Sequence, residues 1–192
     1  MKKIICVMLL TVLCLTFAVS CTEKASDIEV PNGMKLASGE SDIYCLFVPN
    51  SWTVKRGYDS SAAYYSATDT SNVVVTTYIL PSDITVGTAA EDENDKAPYI
   101  DAYWNELKSK AGNTFKNFAV VEEGKEYPVS DGYYAKQYIY TLTADGKDFK
   151  YRALVTYFRG AMICFTYTAT TENFDLHQAE VDRMLAEFRL LK

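Results

Sequence analysis

Beyond residue 40 the chain switches between two hydrophobic periodicities. Ile43-Tyr44-Cys45-Leu46-Phe47-Val48 is apolar or aromatic at every position, which predicts a strand covered on both faces rather than one with a solvated side. Pro49-Asn50-Ser51 turns the chain and Trp52 resumes it. Ala62 to Thr68 and Asn72 to Leu80 read as a hairpin across Asp69-Thr70-Ser71. Tyr133 to Thr143 and Phe149 to Phe158 flank Ala144-Asp145-Gly146-Lys147, where Asp-Gly is a strong hairpin signal. Arg159-Gly160 then turns into Ala161 to Ala169, the third strand of a meander rich in tyrosine, threonine and valine.

Helical spacing takes over twice. Ile100, Tyr103, Trp104, Leu107 and Ala111 fall on one stripe of Pro98 to Ala111, with Pro98 suited to a first turn and Gly112 to the stop. From about Asp175 to Arg189, Val181, Met184, Leu185 and Phe188 form a second stripe. Asp175 and Gln178 have the spacing of a capping box, with Phe174 just before it. Two amphipathic helices and strands apolar on both faces predict an α+β domain over 41–192: an antiparallel sheet sandwiched by helices, α/β/α.

The N-terminal pattern differs in kind. Met1-Lys2-Lys3 is a basic start and Ile4 to Val19 an uncharged, mostly apolar run, short against the roughly 20 residues of a permanent span. It ends in Ala18-Val19-Ser20-Cys21 and turns polar at Thr22-Glu23-Lys24, as a secretory signal does. The cysteine at the cut resembles the lipobox of bacterial lipoproteins, with Ala18 where leucine is commonest. That resemblance implies a lipoprotein signal peptide over 1–20, cleavage before Cys21, a diacylglycerol thioether on the Cys21 sulfur, and anchorage on the extracytoplasmic face of the membrane. Residues 21–40, rich in Ser, Gly, Pro, Asn and charge, then read as the lipidated cysteine and a flexible tether. Fully extended, such a tether would reach about 60 Å.

The string Leu46-Phe47-Val48-Pro49-Asn50-Ser51-Trp52 resembles the opening of PsbP/Mog1-like domains. So does the closing stretch: Gly132 to Lys136, the Asp-Gly hairpin, Met162 to Ala169, Phe174-Asp175 and the helix ending Phe188-Arg189-Leu190. The resemblance implies an α/β/α fold around an antiparallel sheet. For activity it implies little: PsbP assists photosystem II, Mog1 binds a small nuclear GTPase, and bacterial relatives include envelope lipoproteins. Fold alone does not give function.

Composition narrows the chemistry. The 192 residues carry 25 acidic and 19 basic side chains, a net charge of −6, and no basic face for nucleic acid is expected. Loss of residues 1–20 would remove two lysines and no acid, leaving −8. With one histidine, His177, multi-histidine metal sites and most histidine catalysis fall away. Glu91-Asp92-Glu93-Asn94-Asp95 is dense enough in oxygens to interest calcium but lacks the EF-hand spacing, and reads as a solvated loop. Of the cysteines left after processing, Cys45 and Cys164 fall in strands and read as separately buried thiols, with a disulfide as the alternative.

Fifteen tyrosines, Tyr64-Tyr65 and Tyr133-Tyr134 among them, offer faces for a sugar or peptide, although adjacent strand residues point to opposite sides. Trp52 and Trp104 read as core aromatics. No nucleophile elbow, Walker loop or dinucleotide motif is present. The expectation is a non-enzymatic, cofactor-free lipoprotein that binds or assists a protein partner or envelope component. The alternative is a small-ligand or glycan binder with tyrosines lining a groove. A concave cluster of exposed aromatics would favour the alternative, and a flat apolar patch the protein partner.

Overall fold

The structure, a computed structural model, describes residues 24–39, 42–57, 60–66, 68–78, 97–129 and 134–191. Among the described residues eleven strands run in chain order: β1 (Met34–Leu36), β2 (Tyr44–Cys45), β3 (Phe47–Pro49), β4 (Thr53–Arg56), β5 (Ser60–Tyr64), β6 (Asn72–Tyr78), β7 (Lys116–Pro128), β8 (Tyr134–Ala144), β9 (Lys147–Phe158), β10 (Ala161–Thr170) and β11 (Arg189–Leu190). Helix α1 is Ala97–Thr114 and helix α2 is Gln178–Ala186. None of the described helices is long and apolar enough to cross a membrane.

Seven strands form one antiparallel sheet in the order β4-β5-β6-β10-β9-β8-β7. Two small pairs, β1 with β3 and β11 with β2, lie apart from it. Alternation along the central strands divides their side chains between two cores. In β10, Ile163, Phe165 and Tyr167 enter one core with Phe47, Trp52, Val181, Met184 and Phe188, while Met162 and Cys164 enter the other with Ile100 and Trp104 of α1. A strand of period two buried on both faces needs apolar residues at consecutive positions, as Ala161 to Phe165 of β10 supply. The run Ile43 to Val48, expected as one such strand, is instead divided between β2 and β3, which pair outside the seven-stranded sheet and bury their side chains in the first core alone.

The turns follow their residue types. Asp145 (φ 50°) and Gly146 (φ 75°) are both left-handed between the paired Ala144 and Lys147, as a tight two-residue hairpin requires. Arg159 and Gly160 repeat the geometry between Phe158 and Ala161.

Several expectations are corrected. Residues 24–39 are not a free tether: Met34–Leu36 pairs with Phe47–Pro49, and Ala25, Met34, Ala37 and Ser38 are buried. The segment's apolar residues are few, but a short strand needs only one covered face. Helix α1 runs past Gly112 to Thr114, and the Phe115 amide still donates to the Ala111 carbonyl; the left-handed residue comes later, at Asn117. The capping box at Asp175 does not form, because Phe174–His177 is a 3₁₀ turn and α2 starts only at Gln178, whose side-chain amide donates to the Phe174 carbonyl. Arg189 is a strand residue, since β11 leaves α2 to pair with β2. The strand placed at 62–68 is instead Ser60–Tyr64, and the loop after it closes on Asp69. Cys21, residues 91–95, Tyr133 and the ends Ile79 and Leu80 of the expected β6 strand lie outside the described residues.

Candidate functional site

The second core is not closed along its whole length. Beside Ile100 and Trp104, which are buried, α1 turns Tyr103, Glu106, Leu107, Lys110, Ala111 and Thr114 toward the sheet. These positions recur every three or four residues, so one helix face forms a wall about 16 Å long at 1.5 Å per residue. The opposite wall comes from the sheet: Tyr78 of β6, Tyr140 and Leu142 of β8, and Tyr151 of β9. Between them lies a groove of about 470 Å³, capped at one end by the exposed Phe115. Volumes of this order hold small-molecule ligands.

Tyrosines give this groove its character. Tyr140 and Tyr151 are direct cross-strand partners on β8 and β9, their rings parallel within 2° and 4.8 Å apart. Tyr78 and Tyr103 meet across the helix–sheet boundary at 5.9 Å. Burial raises Tyr103 far above the usual phenol range, reinforced by the neighbouring Cys164 thiol. Burial likewise raises Tyr140, with Cys164 and Tyr151 adding to it, and burial raises Tyr151. All three hydroxyls therefore stay neutral donors at physiological pH. The ionic groups in the lining are Glu106 and Lys110, which neutralise each other one helical turn apart. Such a lining suits a body that is apolar along its length and uncharged in its buried part.

A second cluster gathers around His177 on the other side of the sheet. Its Nε2 lies 3.0 Å from Asp69 Oδ2 and its Nδ1 lies 2.9 Å from Glu180 Oε2. Trp52 Nε1 donates to the same Glu180 oxygen, and the Tyr65 ring stacks on the imidazole at 4.1 Å. Partial burial works against the charge of Asp69. Hydrogen bonds from Ser71 and His177 outweigh it and hold the carboxyl at about 2. This cluster brings a histidine between two carboxylates, which a hydrolase would also want. Here both ring nitrogens face carboxylates, and the contacts tie the loop carrying Asp69 to the start of α2.

The other candidates fall apart in space. Cys45 lies in the first core and Cys164 in the second, with the sheet between them, and they are not joined as a disulfide. Trp52 and Trp104 are buried, each donating its indole N–H to a glutamate, Glu180 and Glu123 respectively. Tyr64 and Tyr65 are exposed, but Tyr65 is used on His177. Among the described residues no group of three or more His, Cys, Asp or Glu side chains is arranged to hold a metal ion. The groove residues Tyr78, Tyr140 and Tyr151 had no signal of their own in the sequence. They sit in three different strands, and only the register of the sheet brings them together.

No family model matches the sequence, and no curated protein sequence matches it. Solved structures do. The chain is similar to cyanobacterial PsbP (CyanoP) from Synechocystis, with a TM-score of 0.56 and 18% identity over 82% of this chain and 92% of that one. It is similar to LpqN of Mycobacterium tuberculosis, a protein described as involved in cell envelope biogenesis, with a TM-score of 0.55 and 14% identity over 90% of this chain and 99% of that one. The Saccharomyces cerevisiae Ran-binding protein Mog1p gives a TM-score of 0.51 and 9% identity over 82% and 95%. At such identities the likeness is one of fold: an antiparallel α+β domain of the PsbP/Mog1 kind.

Proposed function

We propose that the chain is a non-enzymatic lipoprotein, anchored through a lipid on Cys21 to the extracytoplasmic face of a membrane, whose layered α/β/α domain binds an envelope component in the α1 groove. The observation that carries the binding reading is the concave, tyrosine-lined trough between α1 and strands β6, β8 and β9. A flat apolar patch would have favoured a protein surface; a trough favours a small or narrow ligand. Its lining also sets the chemistry. Sugars need aromatic faces together with many amide and carboxylate groups for their hydroxyls; this lining has the aromatic faces, but among the described residues its amide groups are absent and its ionic groups are one self-compensated pair. A hydrocarbon chain or ring system fits better than a sugar. The similarity in fold to an envelope-biogenesis protein supports a place in the envelope.

Two experiments separate the halves of this reading. For the anchor, Cys21→Ser should move the protein from the membrane to the soluble fraction and abolish incorporation of labelled palmitate. Unchanged partition would end the lipoprotein reading. For the groove, phenylnaphthylamine, a neutral apolar dye, should brighten on binding the native protein. Leu107→Trp, which fills the trough from its helical wall, should weaken that binding about tenfold or more while leaving the circular dichroism spectrum intact. Equal brightening by both proteins would place the dye elsewhere and remove the groove from the proposal.

A further inference from the structure

The packed N-terminal segment fixes which way an anchored domain must face. Ala25 is buried in the first core, the one that holds α2, and from Lys24 back to Cys21 there are three peptide units. At most about 11 Å of chain therefore separates the anchoring sulfur's backbone from the body of the domain. The groove belongs to the other side: Tyr78, Tyr140, Tyr151 and the α1 residues line the face shared with Met162 and Cys164, across the sheet from Ala25, Val181 and Phe188. Resting on the lipoprotein reading above, we propose that the anchored domain presents its α2 side to the bilayer and its groove to the aqueous space. The ligand then reaches the groove from the aqueous side rather than from the leaflet that holds the anchor.

Chain length, not attraction, imposes this orientation. The processed protein carries a net charge of −8, so anionic lipid repels it. The repulsion decays over about 8 Å at physiological salt, a distance similar to the tether itself. A domain on a long stalk would escape that zone and tumble. One held by three residues at its α2 side is confined near the surface, and turning the groove toward the lipid would require the anchor to stretch around the body.

The test uses the lipidated protein in zwitterionic vesicles whose headgroups carry nitroxide quenchers. Ala179 on α2 and Ser109 on α1 are exposed, small and on opposite sides of the sheet, so Ala179→Cys and Ser109→Cys, each labelled with one fluorophore, report the two sides. The native Cys45 and Cys164 are buried and escape labelling. The sides are separated by two layer spacings, about 20 Å, well beyond the short reach of contact quenching. The Ala179→Cys label should be quenched several-fold more strongly than the Ser109→Cys label. Equal quenching, or the reverse order, in protein that floats with the vesicles overturns the orientation while leaving the anchor in place. Protein that does not float at all overturns the anchor reading, and the orientation with it.

Discussion

His177 and Asp69 lie 108 positions apart in sequence and 3.0 Å apart in space, joining the turn before α2 to the loop between β5 and β6. Glu180 holds the opposite ring nitrogen, so the single histidine of the chain serves as a staple between two acids.

Acid should loosen this staple. The folded-state value of Asp69 is about 2, below its usual 3.8, so the carboxylate's contribution to stability is complete above 3.8 and is lost as pH falls toward 2. Asp69→Asn should remove that part of the acid dependence and lower stability at neutral pH by about 1–3 kcal/mol, the cost of leaving a nearly buried partner short of its acceptor. Urea midpoints measured from pH 2 to 7 on both proteins check it. Parallel curves would show that Asp69 carries no such linkage.

Two glycines should respond in opposite directions to the same added methyl group. Gly146 has φ 75° and open space around the missing Cβ, so Gly146→Ala meets backbone strain alone and should cost about 1–2 kcal/mol. Gly112 lies inside α1, where a Cβ would sit 3.7 Å from Phe118, an ordinary contact. Gly112→Ala should therefore stabilise by about 0.5–1 kcal/mol through helix propensity. Thermal midpoints shifting the same way would refute the placement of one of these glycines.

That contrast shows where the sequence speaks clearly and where it does not. The Asp-Gly hairpin and the α1 and α2 stripes were legible because each depends on residues close together in the chain. Strand β7 gave no such signal. It is one of the sheet's two edge strands, carries Glu122, Glu123, Lys125 and Glu126, and shifts register three times against β8. Charges and bulges protect an edge from pairing with another chain, and the same features erase the alternation that would reveal a strand. Gly112 misled because a helix-ending glycine and a mid-helix glycine look alike without the backbone angle. The groove needed the order of β6, β10, β9 and β8, which no local pattern encodes.

Met34 measures how firmly the N-terminal segment belongs to the domain. Its side chain is 5% exposed in the first core, and its strand pairs with Phe47–Pro49. In a free tether Met34→Ala would leave stability unchanged. Packed as it is, the substitution should cost about 2–5 kcal/mol, the range for a buried methionine cut to alanine. Denaturant titration of the 24–192 body gives the answer directly, and a change below the measurement error would return residues 24–39 to the role of linker.

The two cysteines of the domain should behave as thiols even in an oxidising compartment. Cys45 and Cys164 are buried in cores on opposite faces of the sheet, so forming a bond between them would require the sheet to open. Burial raises the Cys164 thiol above its ordinary value, opposed in part by hydrogen bonds with Thr166 and Tyr103, and so keeps it in the unreactive protonated form. A thiol reagent added to the native protein should therefore modify neither residue on the time scale on which it modifies a free cysteine. Addition of denaturant should expose both at once, with rates that follow the unfolded fraction. An oxidised preparation that releases no reactive thiol on unfolding would mean that the bond exists and that the two cores are not arranged as described.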